Sequence, residues 1–233
     1  MTEIKDIKVA VDAIVFGYQQ NTLFVLLVKQ KFGPFKGIWV LPGGFVLQQE
    51  SLIEAVTREL QEEAGIKVNY LEQLYTFGDN INRDPRFRVI SVAYFALVNP
   101  DNFALAQQND TDAEEAQWFA ISNIPQLGYD HNQIVKMAHQ RLKSKLTYQP
   151  IGFDLLATEF PFSDLENLYS VILEQEIDRR NFRKKILSLG FVEETNAPSI
   201  NNGSGRPARL FKFNKDKYYA LLSNSFHFEI KFA

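Results

Sequence analysis

Apolar residues along the first part of the chain alternate between a strand-like and a helix-like spacing. Residues 8–16 alternate apolar side chains with others, residues 23–28 form a continuous apolar run, and residues 89–98 are apolar except for Ser91, which predicts three strands. Residues 131–145 repeat apolar side chains at helical spacing, and Trp118-Phe119 begins a further short element. Strands that alternate with helices predict a mixed sheet flanked by helices, an α/β fold.

A helix is predicted between Ser51 and Gly65. Ser51 is a good N-cap and Glu54 follows at the offset of a capping box, while Gly65 supplies a C-terminal stop. Between them an apolar stripe recurs at helical spacing, and we expect it to be buried: Ile53, Val56, Leu60 and Ala64. Residues 41–44 form a turn before this helix.

The last third of the chain has a separate pattern. Pro150 predicts a linker at residues 148–150, and therefore domains at 1–147 and 151–233. We expect one helix capped by Ser163 with Glu166 in a capping box, and a second helix from its N-cap Asp178 to Gly190. The first helix carries an apolar stripe of Leu165, Leu168, Tyr169 and Ile172. Strands at 191–194 and 206–213 flank a glycine-rich loop, and this order describes a winged helix-turn-helix.

Composition adds a few limits. The 233 residues suggest two domains, and a hydrophobic content of 45% is ample for packed cores. The absence of cysteine excludes disulfides and thiolate metal sites, and the three histidines (131, 139 and 227) show no zinc spacing, so each is interpreted as an ordinary surface or packing residue. No apolar run is long enough to cross a bilayer and the N-terminus lacks an apolar signal region, so we expect a cytoplasmic protein without membrane contact.

The predicted helix at 51–65 carries three carboxylates on one face, from Glu59, Glu62 and Glu63. Clustered carboxylates repel one another unless a cation lies among them, and hard oxygen ligands favour Mg²⁺ or Mn²⁺. Such an ion bridges protein carboxylates and substrate phosphates. The alternative is a solvated acidic face of an amphipathic helix.

Two further groups of basic residues are candidates for binding anions. The loop at 78–88 contains Arg83, Arg86 and Arg88, which suit phosphate or carboxylate capture, although local ion pairs within a turn would explain them equally. The helix after Asp178 is cationic and the strand after the glycine-rich loop carries two arginines, which together suit double-stranded DNA: Arg179, Arg180, Arg183, Lys184, Lys185, Arg206 and Arg209. The alternative is a dimerisation or protein-contact module, because residues 151–233 contain as many acids as bases.

Residues 44–66 match the Nudix box at every fixed position, so the chain resembles the Nudix family. The resemblance implies an α/β/α sandwich. It implies metal binding by Glu59, Glu62 and Glu63 with a backbone carbonyl near Gly43, and catalytic roles for those glutamates. It implies a structural role, maintaining the conformation of the box, for Gly44, Glu50, Arg58 and Gly65, with Glu50 and Arg58 forming an ion pair. The general base is left open between a box glutamate and an acid at 110–115.

The sequence of residues 77–94 resembles that of Nudix proteins that act on or sense ADP-ribose. Residues 151–213 resemble the C-terminal domain of Nudix-related transcriptional regulators of the NrtR type. This resemblance implies a homodimer that binds DNA and a nucleotide-sugar or sugar metabolite. Two functions therefore remain open. One is a DNA-binding regulator whose Nudix domain binds, and could hydrolyse, an ADP-ribose-like or sugar metabolite. The other is a Mg²⁺-dependent pyrophosphohydrolase acting on ADP-ribose or a related nucleoside diphosphate derivative, with the winged helix as a dimerisation or interaction module.

Overall fold

The computed structural model describes residues 6–103, 105, 113–195, 208–223 and 228–230. The Cα positions divide the chain into two units, Met1–Arg141 and Leu142–Ala233. Each unit has its own sheet. We describe the units one at a time.

The first unit is built around a mixed sheet of seven strands. The strands β1 to β7 are Lys8–Gln19, Thr22–Gln30, Trp39–Val40, Gly43–Phe45, Tyr70–Phe77, Val89–Val98 and Ala113–Ala120. The order across the sheet is β3-β2-β1-β6-β5, with β4 paired to β1 and β7 paired to β2. The long β1 and β6 run parallel, while the other pairs are antiparallel. The predicted mixed sheet is thereby confirmed.

Helix α1 (Leu52–Ala64) covers one face of the sheet, and α2 (His131–Tyr148) follows β7 in the chain. Ala55, Val56, Leu60 and Ala64 are buried against strand residues such as Val11 and Tyr94. Burial of this stripe fixes the rotation of α1 about its axis, so its acidic face is turned away from the apolar core. Glu59 and Glu63 of this helix lie beside Gly43 and Gly44 of β4.

Both ends of α1 confirm the sequence prediction. The Ser51 side chain accepts the Glu54 backbone N–H, the Glu54 side chain accepts the Ser51 N–H, and Gly65 ends the helix in the left-handed conformation. One member of the predicted stripe is wrong, because Ile53 is 61% exposed. Ile53 lies in the first turn, where Ala55 and Val56 already provide the buried contacts. The strand expected to begin at Trp118 begins earlier, at Ala113.

The second unit has a three-stranded antiparallel sheet with helices packed on it. Its strands are β8 (Glu159–Pro161), β9 (Val192–Glu194) and β10 (Leu210–Phe213), in the order β8-β10-β9. Its helices are α3 (Phe162–Leu173), α4 (Arg179–Ser188) and α5 (Lys215–Ser223). The predicted order of helix, basic helix and paired strands is confirmed, and the sequence reading missed β8 and α5.

The N-cap predicted at Ser163 is wrong. Helix α3 begins at Phe162, its N-cap is Pro161, and no side chain caps it. Phe162 is 2% exposed, so the helix starts where this ring enters the core rather than where a hydroxyl could cap it. The predicted stripe of Leu165, Leu168, Tyr169 and Ile172 is buried as expected.

Aromatic rings dominate the core of the second unit. All of these rings belong to phenylalanine or tyrosine, and the unit contains no tryptophan. Phe153 stacks on Phe213 with ring centroids 4.2 Å apart, and Phe191 and Tyr218 pack around this pair. The two tryptophans of the chain, Trp39 and Trp118, both belong to the first unit. Within the described part of the chain, no helix is both long and apolar enough to cross a membrane.

Candidate functional site

Strand β4 brings the backbone unusually close to the acidic helix; the turn predicted at residues 41–44 is wrong in its second half, because Gly43 and Gly44 pair with β1. Gly43 pairs with Asp12 of β1, and a Cβ atom on Gly43 would lie 2.2 Å from the carbonyl oxygen of Val11. A Cβ atom on Gly44 would lie 2.1 Å from Oε1 of Glu59. Gly43 therefore requires glycine, because any side chain there would clash with backbone, whereas a side chain at Gly44 would displace the Glu59 carboxylate that lies against β4.

Arg58 provides the positive charge among the carboxylates of α1. Its Nε and Nη2 atoms donate to the two carboxylate oxygens of Glu50 at 3.0 and 2.8 Å, a bidentate pair. Its Nη1 atom donates to Glu59 at 2.8 Å and to Glu62 at 3.2 Å. The hydrogen bonds from Arg58 lower the pKa of Glu50. The structure thus brings together Glu50 and Arg58 as the ion pair that the resemblance implied.

Glu63 is held differently from its neighbours. It is 8% exposed, and one of its carboxylate oxygens accepts the Gly43 N–H at 2.9 Å. Glu62, by contrast, has a side chain that is 52% exposed. Glu59 and Glu63 lie one helical turn apart and both face a pocket, whereas Glu62 does not line it.

The donor chemistry around Gly43 suits a hard divalent cation. In the part of the chain that the structure describes, no group of three or more acidic, histidine or cysteine side chains is gathered closely enough to hold a metal ion. Mg²⁺, however, is usually bound through one or two carboxylates together with substrate phosphates and water. Glu59 and Glu63, with the backbone at Gly43, fit that smaller donor set. The Nudix family as a whole uses divalent cations of this kind.

The pocket beside these carboxylates has a volume of about 340 Å³. Glu59, Glu63, Gly43 and Gly44 are among its lining residues. Basic, aromatic and buried polar groups complete the lining: Arg83, Arg86, Asp84, Tyr129, Asp12 and His131. Phe32 and Phe45 also line it and are 58% and 36% exposed. A molecule that combines phosphate groups with flat ring surfaces matches this lining.

Arg83 lies at the base of the pocket in a buried network of ion pairs. It is 6% exposed, and its guanidinium donates to Asp130 at 2.7 and 3.0 Å and to Asp12 at 3.1 Å. Asp12 also accepts a hydrogen bond from the Ser91 hydroxyl at 2.5 Å. Burial would raise the pKa of Asp12, but His131, Arg83 and Ser91 outweigh it and hold that pKa well below its usual range.

His131, at the start of α2, connects this network to Leu41, which lies just before β4. Its Nδ1 atom accepts the backbone N–H of Leu41 at 2.8 Å, so the ring proton lies on Nε2, which faces Asp12 at 3.4 Å. The sequence reading treated His131 as an ordinary residue and did not identify Asp12 or Asp130. One signal was available: Asp12 is the single charged residue within the apolar 9–16 segment.

The three arginines of the 78–88 loop have different surroundings. Arg86 forms a two-point ion pair with Asp84, with distances of 3.1 and 2.8 Å, and its guanidinium also lies 5.9 Å from the centre of the Phe45 ring. Its side chain remains 38% exposed. Arg83 and Arg86 line the pocket, while Arg88 is not among its lining residues. One guanidinium nitrogen of Arg88 is buried without a hydrogen-bond partner among the described residues.

The basic residues of the second unit are concentrated on α4. Asp178 caps this helix by accepting the Asn181 N–H at 3.1 Å, which confirms the predicted cap. Arg179, Arg180, Arg183 and Lys184 are exposed. Lys184 and Lys185 line a recess of about 300 Å³.

Two arginines, Arg206 and Arg209, were predicted on the strand that follows the glycine-rich loop. Arg209, just before β10, pairs with Glu194 of β9 at 2.9 Å. Arg206 lies outside the residues that the structure describes.

Comparison with known protein families identifies both units. Residues 6–139 match the NUDIX domain, and residues 152–213 match the NrtR DNA-binding winged helix domain. These matches follow one another in the same order as the two structural units.

Two similar proteins, one of them in two crystal structures, cover one or both units. The ADPR responsive transcriptional repressor NtrR of Acinetobacter baylyi is 34% identical over 212 residues, covering 89% of this chain and 82% of that protein. Shewanella oneidensis NrtR, in a crystal structure with a 27mer DNA, superposes with a TM-score of 0.81 at 30% identity over 95% of this chain and 98% of that one. The NUDIX domain of the same Shewanella protein, in complex with ADP ribose, has a TM-score of 0.54 at 35% identity, covering 60% of this chain and 90% of that one.

The fold and the similarity extend through both domains together, from the sheet with its acidic helix to the winged helix with its basic helix. The chain therefore belongs to the NrtR family of Nudix-related transcriptional regulators.

Proposed function

We propose that this chain is a transcriptional repressor that responds to ADP-ribose or to a closely related nucleotide sugar. The observation that carries the proposal is the similarity, through both domains, to an NrtR bound to DNA and to a repressor described as ADPR responsive. The winged helix binds double-stranded DNA, and the pocket between α1 and the 78–88 loop binds the metabolite. Binding of the metabolite releases the DNA.

The lining of the pocket supports a ligand with a diphosphate group. Arg86 is the most exposed of the cations that line the pocket, while the guanidinium of Arg83 is engaged by Asp12 and Asp130. We therefore assign direct phosphate contact to Arg86 and a positioning role to Arg83. The exposed rings of Phe32 and Phe45 offer flat apolar surface to the base or ribose of the ligand.

We further propose that Mg²⁺ or Mn²⁺ binds at Glu59 and Glu63 with the Gly43 carbonyl, assisted by Glu62. The ion neutralises phosphate charge and, where hydrolysis occurs, activates water. The Gly43 N–H orients Glu63 through the bond at 2.9 Å, and Arg58 keeps Glu59 and Glu62 in place. Glu50, Gly44 and Gly65 maintain the shape of this segment.

For DNA binding, we assign α4 to the major groove, and we assign Arg206 and Arg209 to contacts with the DNA phosphate backbone beside that groove. Helices of this type read DNA in two-fold pairs, so the protein acts as a homodimer on palindromic half-sites. We take the domains to be 1–147 and 151–233. A DNA-binding repressor shares a compartment with its DNA, which for this protein we propose to be the cytoplasm.

Binding measurements test the regulator directly. Fluorescence anisotropy with labelled fragments from the promoter regions around the protein's own gene should reveal at least one that binds more tightly than random duplex. ADP-ribose with Mg²⁺ should dissociate that complex, while AMP and ribose 5-phosphate, each carrying part of the ligand, should do so only at much higher concentration. Binding that does not distinguish fragments from random duplex, or that ignores ADP-ribose, would contradict the proposal.

A second function is supported by one observation: all three box glutamates, Glu59, Glu62 and Glu63, are present. We therefore propose as an alternative that the domain hydrolyses ADP-ribose, alone or in addition to regulation. The general base would be a box glutamate or an acid at 110–115, of which 110–112 lie outside the described residues. Release of AMP and ribose 5-phosphate from ADP-ribose with Mg²⁺ would support the hydrolase. Stabilisation of the protein by ADP-ribose without turnover would exclude it.

A further inference from the structure

Arg183 differs from the other basic residues of α4 in how its side chain is held. Its guanidinium carbon lies 4.5 Å from the centre of the Phe162 ring and 5.3 Å from the centre of the Phe211 ring. These rings are 2% and 3% exposed and belong to the first residue of α3 and to β10. The exposed arginine is therefore fixed against two buried groups from different elements, and a stacked guanidinium loses rotamer freedom in the free protein.

The donors of Arg183 are nevertheless not engaged. Among the residues that the structure describes, Arg183 forms no hydrogen bond and no salt bridge; it makes the two ring contacts and has a longer-range attraction to Glu166. Arg179, one turn earlier, donates to Asn167 at 3.0 Å and lies 3.6 Å from Glu166. Arg209 is paired with Glu194. Arg183 thus combines a fixed plane with a row of free N–H donors along its edge.

A flexible lysine is sufficient to contact a phosphate, because that contact needs charge but little geometry. Two-point recognition of guanine is more demanding, because two parallel N–H donors must meet the O6 and N7 acceptors at the edge of the base. An arginine whose plane is already fixed loses less conformational entropy on making such a contact. Arg183 also lies in the first half of the helix, the part of a recognition helix that reaches base edges.

We propose that Arg183 is a specificity-determining residue that reads a guanine in the major groove, and that Phe162 and Phe211 are positioning residues that hold its guanidinium for this contact. The proposal rests on the proposed DNA-binding function. It separates Arg183 from Lys184 and Arg180, which contact phosphates without reading sequence.

The experiment combines a change in the protein with a change in the DNA. A binding site is first selected from a random duplex library with the full-length wild-type protein. Each guanine of that site is then replaced in turn by 7-deazaguanine, which lacks the N7 acceptor. One replacement should weaken wild-type binding by about 5- to 150-fold, the range for loss of a two-point base contact. The same replacement should have little further effect on Arg183→Lys, which keeps the charge but lacks the planar fork.

Lys184→Gln is the matched control on the same helix. It should lower the slope of log affinity against log salt by about 0.9 for one lost phosphate contact. Its response to 7-deazaguanine should remain that of the wild type. Arg183→Lys should leave the salt slope unchanged, because the charge is retained.

The outcomes separate the two levels of the proposal. If selection enriches no sequence above random duplex, the proposed DNA-binding function fails. If a specific site is obtained but no 7-deazaguanine replacement weakens wild-type binding, the guanine contact is disproved without the use of any variant, so instability of Arg183→Lys cannot obscure the result. If a sensitive guanine exists but Arg183→Lys responds to its replacement as the wild type does, another residue reads that base.

Discussion

At the scale of single residues, Arg83 shows how burial changes the meaning of a charged side chain. From the sequence it is one of three loop arginines suited to phosphate. In the structure it is almost fully buried between two carboxylates, and Asp12 in turn contacts Ser91 and His131. Such a group is costly to disrupt, because removing one partner leaves another charge buried and unpaired. We therefore regard Arg83 as part of the framework of the pocket.

Asp12→Asn should reveal this framework. The pKa of Asp12 in the folded protein lies below its usual value of 3.8, so its stabilisation is fully present above that value and is lost as pH falls through the lower, folded-state pKa. At neutral pH the variant should lose about 3–5 kcal/mol of unfolding free energy, the range for breaking a buried ion pair. Its stability should also fall less steeply than that of the wild type on acidification below the usual carboxyl range.

Urea unfolding at neutral and acidic pH measures both effects. Asp101→Asn is a suitable control, because Asp101 is exposed and accepts one hydrogen bond from Gln19, which an amide oxygen can still accept. That control should stay within about 0.5 kcal/mol of the wild type. Equal stability of Asp12→Asn and wild type at neutral pH would show that the network contributes no net stability.

Glu63→Gln tests the proposed metal site. The amide oxygen can still accept the Gly43 N–H, so the fold should survive, while one charge and one metal ligand are lost. We expect the Mg²⁺-dependent part of the thermal stabilisation by ADP-ribose to disappear, together with any hydrolysis. Differential scanning fluorimetry with and without Mg²⁺ provides the measurement. Glu176→Gln, an exposed change in the other domain, is the control. A Glu63→Gln variant that keeps the full Mg²⁺ effect would place the metal elsewhere.

At the scale of elements, the sequence predicted best where a local rule determines the structure. The caps of α1 and of α4 depend on side chains three residues apart, and both were found as predicted. The long apolar strands were equally clear. Strand β5 was missed because its apolar residues do not alternate regularly with polar ones, and a register shift interrupts its pairing with β6. Those residues are Tyr70, Leu71, Leu74, Tyr75 and Phe77.

The candidate site shows the same limit. The glutamates of α1 share one helix, so their spacing was readable from the sequence. The rest of the site combines Asp12, Arg83, Asp130 and His131, which are distant in the chain and meet only through the parallel pairing of β1 with β6 and the position of α2. Contacts between residues that are distant in the chain leave no local sequence pattern from which they could be predicted. The error at Ser163 has a related cause, since tertiary burial of Phe162 overrode a local capping signal.

Two serines provide a matched test of helix capping. Ser51→Ala removes the hydroxyl that accepts the Glu54 N–H, and it should lower the unfolding free energy by about 1 kcal/mol. Ser163→Ala should change it by less than about 0.5 kcal/mol, because Ser163 is an exposed residue within α3 and caps nothing. Chemical denaturation of both variants measures these changes in the free energy of unfolding. A larger loss for Ser163→Ala than for Ser51→Ala would show that the Ser163 hydroxyl does cap α3.

At the scale of the whole molecule, the proposed mode of DNA reading requires two chains. We expect light scattering at micromolar concentration to give the mass of a homodimer of the 26.8 kDa chain. Two recognition helices then fit half-sites about one helical turn apart, roughly 10 base pairs. Inserting about 5 base pairs between the half-sites turns one of them to the opposite face of the duplex and should weaken binding strongly, while inserting about 10 should restore much of it. A monomer that tolerates both insertions equally would contradict this arrangement.

The distribution of the two tryptophans gives the protein a built-in optical label. Trp39 packs edge-on against Phe119 with ring centroids 4.8 Å apart, and it immediately precedes Val40 and Leu41, which line the pocket. Intrinsic emission excited selectively from tryptophan therefore reports on the metabolite domain alone, whereas the circular dichroism of the peptide backbone reports on both domains. Melting curves recorded by the two signals will coincide if the domains unfold as one cooperative unit, and they will separate if occupation of the pocket stabilises only its own domain.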